Sequence, residues 1–230
     1  MIVGVHGKAR SGKGQFGEYL IECFKKYQQR TFTEVAFATP LKMMCKTHFG
    51  LSDDQLWERG KNIREIPDKR FVKEKLVPKF ADDQEMDSGF KCGTIREPLY
   101  VYWTPREIMQ ELGAFYRKIY GKYWVKSLGT YMENYSITDA IVTDVRHINE
   151  CEYVKENKGI TIRITREGTE EIHGMDHESE TALDNYNDFD IEIDNNGTLE
   201  DLYGIARSTV DTILIIERLM KRGEVYNGKE

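Results

Sequence analysis

Gly7-Lys8-Ala9-Arg10-Ser11-Gly12-Lys13 is the stretch of this 230-residue chain whose residue types and spacing imply chemistry most directly. Its glycines free main-chain N–H groups to turn towards one oxyanion, and Lys13 adds a full charge that can reach outer phosphates. Apolar Ile2 to Val5 precedes it, and Phe16, Leu20, Cys23, Phe24 and Tyr27 follow at helical spacing. Strand, glycine loop and helix in that order aim the helix's positive N-terminal end at the loop. The stretch fits the first seven positions of the phosphate-binding loop pattern, with a nucleoside triphosphate as natural occupant. The eighth position, normally Ser or Thr for magnesium, is Gly14, and Gln15 does not replace the hydroxyl. Gly7, Lys8, Ala9, Ser11, Gly12, Gly14 and Gln15 are the candidate binding residues. Lys13 suits the β- and γ-phosphates, and Arg10 is a second cation on the loop's outer edge. The plain structural alternative is a glycine turn that happens to hold a lysine.

Other polar residues are candidates for the second half of such chemistry. Thr39 can cap a helix that Pro40 opens, and Lys42 on it either grips a phosphate or is solvated. Arg106 falls in the first turn of another predicted helix, where a cation opposes the dipole unless an anion binds there. A salt bridge is the alternative. Gln110, one turn on, can donate and accept as a base edge requires, or be an exposed helix former. Asp144 ends an apolar strand just before Arg146. Its carboxylate could hold magnesium through water, taking the burden that Gly14 cannot, or orient a second substrate. It could equally cap a helix or pair with Arg146. Trp124 and Tyr123 fit either a packed wall or a stacking surface for a base. His173 and His177 are four apart beside Asp176 and Glu178, but Gly174 interrupts the helix and no third ligand has fixed spacing, which argues against zinc.

These residues need a frame. Further strands are expected over Thr33 to Ala38, Ala140 to Thr143, Ile160 to Ile164 and Phe189 to Ile193. Helices are expected over Pro40 to Phe49, from Thr104-Pro105-Arg106-Glu107 onward, over Trp124 to Asn134, over Asn149 to Glu156 and after Thr198. The helix after Thr104 should bury Ile108, Leu112, Phe115, Tyr116 and Ile119; the last should bury Leu199, Leu202, Ala206, Val210, Ile213 and Leu214. Lys73 to Lys91 is charged and weakly periodic, and Phe90 to Tyr102 reads as a hairpin or an ordered loop. Alternating strands and helices predict an α/β fold with a parallel sheet covered on both faces and ligands at the strands' C-terminal ends.

The wording of the motifs resembles the bacteriophage deoxynucleoside monophosphate kinases. The loop resembles that family's Arg-Ser-Gly-Lys loop, which also lacks the hydroxyl directly after lysine. Ala38-Thr39-Pro40-Leu41-Lys42 is similar to its segment after the second strand, and Arg106-Glu107-Ile108-Met109-Gln110-Glu111-Leu112-Gly113 to its Arg-x-Leu-Met-Gln-x-Leu-Gly helix. Tyr123-Trp124-Val125-Lys126, Asp144-Val145-Arg146, His177-Glu178-Ser179-Glu180 and Asn195-Asn196-Gly197-Thr198-Leu199-Glu200 resemble further family segments in the same order. The resemblance implies a nucleoside monophosphate kinase fold: a five-stranded parallel sheet in a single kinase domain, with an acceptor-binding insertion over 51–135 and a lid over 165–188. It implies ATP as donor, Mg2+, and a deoxynucleoside monophosphate as acceptor. Lys13, Arg10, Asp144 and a lid arginine, Arg166, would be catalytic. Asn195 and Gly197 would lie near the donor base. Thr39, Lys42, Arg106, Gln110, Trp124, Lys126, Arg146 and Glu180 would bind the acceptor. A homodimer, through 51–100, and the cytoplasm of an infected bacterium are further implications.

Composition sets the limits. A net charge of -6 gives no broad surface for nucleic acid, and no run approaches a membrane span. The 4 cysteines, at 23, 45, 92 and 151, fit neither a zinc site nor a redox pair and read as reduced. Two other readings stay open: a related small-molecule kinase of dephospho-coenzyme A or phosphomevalonate type, and a nucleotide-binding protein whose loop Gly14 has disabled. A hydrolytic switch is disfavoured, because no Asn-Lys-x-Asp guanine motif follows the core strands.

Overall fold

The computed structural model describes residues 1–57, 62–76, 99–168 and 181–224. In chain order these form β1 (Ile2–His6), α1 (Lys13–Gln28), β2 (Thr33–Val35), α2 (Thr39–Phe49), α3 (Asp53–Leu56), a 3-10 turn (Ile63–Glu65), β3 (Val72–Leu76), β4 (Leu99–Tyr102), α4 (Pro105–Ile119), α5 (Tyr123–Asn134), β5 (Ala140–Val145), α6 (Ile148–Glu156), β6 (Ile160–Thr165), β7 (Ile191–Asp194) and α7 (Leu199–Arg222). The chain divides into two compact units, one of Met1–Pro40 with Ile119–Glu230 and one of Leu41–Lys118.

The first unit holds a five-stranded sheet in the order β2-β5-β1-β6-β7, every pair parallel. All five residues of β1 are buried, as a central strand covered on both faces requires. Val3, Val5, Ile141 and Ile162 pack with Phe16 and Leu20 of α1 and Leu202 and Ile213 of α7. On the other face Ile2, Val35 and Val142 pack with Val125 and Leu128 of α5 and Val154 of α6. Each of the larger side chains contributes about 1.5–3 kcal/mol by leaving water. This is the parallel, helix-flanked sheet of a nucleoside monophosphate kinase. At the N-terminal ends of the strands Arg30 pairs with Asp139 (2.5 Å) and Glu217 (3.0 Å), which ties α7 to the sheet.

In the second unit β3 and β4 form a two-stranded antiparallel sheet. Ser52 and Gln55 make a reciprocal cap on α3, and Thr104 and Glu107 do the same on α4. Lys46 bonds Asp53 at 2.6 Å, and the Arg70 guanidinium holds the Asp68 carboxyl far below the usual carboxylate range.

Several elements depart from expectation. β2 ends at Val35 rather than Ala38, because the N–H groups of Phe37 and Ala38 turn to the Asp144 carboxylate instead of a strand. Leu199 is 63% exposed; it stands in the first turn of α7, ahead of Leu202, the first buried position. Phe115 and Ile119 are exposed too, since α4 buries only Pro105, Ile108 and Gly113. The partner of β4 is the charged segment Val72–Leu76; residues 90–98 lie outside the described ones. Cys23, Cys45 and Cys151 are buried and unbridged. Among the described residues no helix is long and apolar enough to cross a membrane.

Candidate functional site

The loop between β1 and α1 is built around two positions that admit no side chain. A Cβ on Gly7 would stand 2.4 Å from Ser11 Oγ and 2.7 Å from the Ile164 carbonyl oxygen. Gly12 caps α1 at φ 90°, and a Cβ there would meet Asn195 Nδ2 at 2.4 Å. Between them Arg10 takes φ 64° and is exposed, while Ser11 is fully buried. The Ser11 N–H donates to the Lys8 carbonyl (3.2 Å), and Lys13 Nζ donates to the same oxygen (3.1 Å). Ala9, Gly14 and Gln15 are half-buried, and Gln15 donates to Glu18 at 3.1 Å. Lys8 makes an exposed ion pair with Asp184 at 3.3 Å.

Two features of this loop suit an oxyanion. Gly12 supplies no side-chain cap and the first turn of α1 holds no acidic residue, so its N-terminal N–H donors look to a ligand. Ser11 Oγ is buried without a hydrogen-bond partner in the described structure, an uncommon state for a hydroxyl. A phosphate oxygen would satisfy both.

The turn after β7 packs against the loop. Asn195 is 2% exposed; its Nδ2 donates to the Ser11 carbonyl at 2.9 Å, and its N–H to the Thr165 carbonyl at 2.8 Å. Gly197 leaves room for the Asp201 carboxylate, which closes the cap of α7 on Thr198. Arg166 is exposed just past the end of β6. Glu180, His173 and His177 lie outside the described residues.

Asp144 stands near the end of β5, the strand beside β1. Its carboxylate accepts the N–H groups of Phe37 (2.7 Å) and Ala38 (3.0 Å) and so seats the chain between β2 and α2. Thr39 completes that corner: its Oγ1 accepts from the Ala36 N–H at 3.1 Å. Glu150, which sequence reasoning missed, accepts the N–H groups of Arg146 (2.6 Å) and His147 (3.1 Å) through one oxygen. Burial pushes its pKa up to about 8; the negative charge of Asp144 adds to this, and the two N–H bonds and Arg146 oppose it. The available signal was a Glu at the third position of a helix following Asp144-Val145-Arg146. As for magnesium, Gly14 offers no hydroxyl, and among the described residues no three His, Cys, Asp or Glu side chains converge. Asp144, one strand away from the loop, is a carboxylate whose two oxygens each accept a main-chain N–H group.

On α5 Trp124 is buried at 5% exposure, edge-on to Tyr123 at 4.8 Å, as a packed wall would be. Lys126 is exposed and lines a shallow cleft with Tyr120, Tyr123, Ser127 and Thr130. In the Leu41–Lys118 unit Lys42 lies 5.9 Å from the centre of the Trp57 ring. Arg106 is exposed and its Nε donates to Glu65; Gln110 is exposed one turn on. The structure thus gathers the loop, Asp144, Arg146, Arg166 and Asn195 at the C-terminal ends of the parallel strands, where open α/β sheets bind ligands. Lys42, Arg106 and Gln110 belong to the other unit.

The chain is 28% identical over 228 residues to a protein of Acanthamoeba polyphaga mimivirus provisionally described as a deoxynucleotide monophosphate kinase, a match spanning 92% of this chain and 96% of that one. That relative is viral but not from a phage. The family profile "Deoxynucleotide monophosphate kinase" matches residues 66–205, from before β3 into α7. The chain belongs to the deoxynucleotide monophosphate kinase family.

Proposed function

We propose that the protein transfers the γ-phosphoryl group of ATP to a deoxynucleoside monophosphate, giving ADP and the deoxynucleoside diphosphate. The loop carries this reading: side-chain-free Gly7 and Gly12 beside an orphaned Ser11 hydroxyl, at the strand ends of a chain from this family. A phosphate oxygen of the acceptor forms the new bond to Pγ, and the bond from Pγ to the β–γ bridging oxygen breaks, its electron pair leaving with ADP. The nucleophile needs no proton removed, so the protein's task is charge and alignment.

In this reading the main-chain N–H groups of the loop and Ser11 Oγ bind the β- and γ-phosphates. Lys13 leaves the Lys8 carbonyl to meet charge developing on Pγ. Arg10 and Arg166 neutralise the transferring group from outside. Gly197 lies near the donor base, and Asn195, buried beneath that turn, braces the loop through the Ser11 carbonyl. The family resemblance assigns the acceptor to Lys42, Arg106 and Gln110 in one unit and to Thr39, Trp124, Lys126, Arg146 and Glu180 in the other. Bound magnesium would supply positive charge against the donor phosphates. Asp144 would hold its water shell in place of the hydroxyl missing at Gly14. We place this activity in the cytoplasm of the infected host cell.

A coupled ADP assay with ATP, magnesium and a panel of acceptors tests the reading. Turnover confined to deoxynucleoside monophosphates supports it. Turnover with dephospho-coenzyme A or phosphomevalonate alone refutes it, as does ATP binding with no acceptor turned over. An Asp144→Asn variant with normal rate and magnesium dependence would remove the metal role alone.

A further inference from the structure

His6 is the last residue of β1, next to Gly7, and is 8% exposed. Its Nδ1 lies 2.8 Å from the Val145 carbonyl oxygen. A carbonyl oxygen can only accept, so Nδ1 carries the hydrogen. The ring stacks on Phe189, with centroids 5.5 Å apart and 20° between planes. Phe189 in turn has the Arg163 guanidinium 4.4 Å from its centre, and Arg163 donates to the carbonyls of Leu183 (3.1 Å) and Tyr186. Position and tilt of the imidazole are therefore both set. Burial lowers its pKa, the Val145 bond opposes this, the charges of Arg163 and Lys13 add to the lowering, and Asp184 opposes it.

The bond falls where the sheet breaks step. β1 and β5 pair as Ile2↔Ala140, Val3↔Ile141 and Gly4↔Val142, but the next pair is His6↔Val145. Two residues along β1 answer three along β5, so Thr143 and Asp144 share the place opposite Val5. Val142 and Val145 consequently pack into the same core face, which regular alternation forbids for residues three apart. A bulge of this kind re-aims a side chain, and here the side chain is Asp144, turned to the Phe37 and Ala38 N–H groups.

We propose that His6 is a positioning residue: its Nδ1–H bond to Val145 closes the β5 bulge and so fixes Asp144 beside the phosphate-binding loop. The catalytic consequence rests on the function proposed above; the clamp itself does not.

Nitrogen-15 NMR of the wild-type protein tests the clamp without any substitution. A neutral His6 protonated on Nδ1 is expected, and a ring protonated only on Nε2 overturns it. His6→Phe keeps the bulk and removes the donor, whereas His6→Asn places an amide donor near the lost Nδ1. In His6→Phe, amide exchange at Phe37 and Ala38 should quicken by about tenfold or more, and His6→Asn should restore most of it. kcat should fall by about tenfold in His6→Phe while the KM for ATP stays within about threefold, with recovery in His6→Asn. Wild-type exchange rates in a folded His6→Phe overturn the clamp, and an unchanged kcat overturns the positioning role. Wild-type protein that phosphorylates no acceptor, with the expected tautomer and exchange rates, refutes the proposed function and leaves the clamp standing.

Discussion

The side-chain amide of Asn195 donates to the main-chain carbonyl of Ser11 at 2.9 Å, joining the turn after β7 to the glycine loop between β1 and α1 across 184 residues of sequence. Asn195→Ala leaves that buried carbonyl without its donor, a cost of about 1–3 kcal/mol. It also frees the loop that the proposed function assigns to the donor phosphates. The KM for ATP should rise while the KM for the acceptor changes little. Urea unfolding and steady-state kinetics check both halves, and an unaltered KM for ATP would show that the contact serves stability alone.

Glu150 makes stability depend on pH. Its ordinary value is 4.5, and in the fold it is about 8. Between those values the folded chain holds one proton more than the unfolded chain, so this residue's contribution is present below about pH 4.5 and is lost as pH rises towards 8. The slope approaches about 1.4 kcal/mol per pH unit at its steepest. Glu150→Gln keeps an acceptor for the Arg146 and His147 N–H groups and removes the titration. The wild-type-minus-variant difference in unfolding free energy, measured from pH 5 to 8, should therefore fall with pH; a flat difference contradicts the assignment.

Arg106 and Glu65 form an exposed pair, and such pairs contribute about 0–1 kcal/mol. Glu65→Gln should leave the unfolding midpoint almost unmoved. Arg106→Ala should raise the KM for the deoxynucleoside monophosphate by about tenfold, as loss of a phosphate-binding arginine does, with little change for ATP. An acceptor KM at the wild-type value would reduce Arg106 to a surface ion pair.

Local features were legible in the sequence. The strand–glycine–helix order marked the loop, and the Thr104–Glu107 cap marked the start of α4, because each depends on residues a few positions apart. The parallel sheet followed from strands alternating with helices. What escaped was set by tertiary pairing. The bulge at Thr143 and Asp144 exists only in the register of β5 against β1. Beginning α6 at Asn149 rather than Ile148 concealed Glu150 as the acceptor for the Arg146 and His147 N–H groups. Helical periodicity likewise marked Phe115 and Ile119 as apolar but could not say that nothing covers that end of α4 among the described residues.

The most direct measurement follows labelled γ-phosphate from ATP to each of the four common deoxynucleoside monophosphates with magnesium, in wild-type protein and in Lys13→Ala. Label is expected in at least one deoxynucleoside diphosphate, with a rate that falls by about 10²–10³-fold in the variant. Label reaching none of the four acceptors, or reaching them equally fast without the Lys13 ammonium, would contradict it.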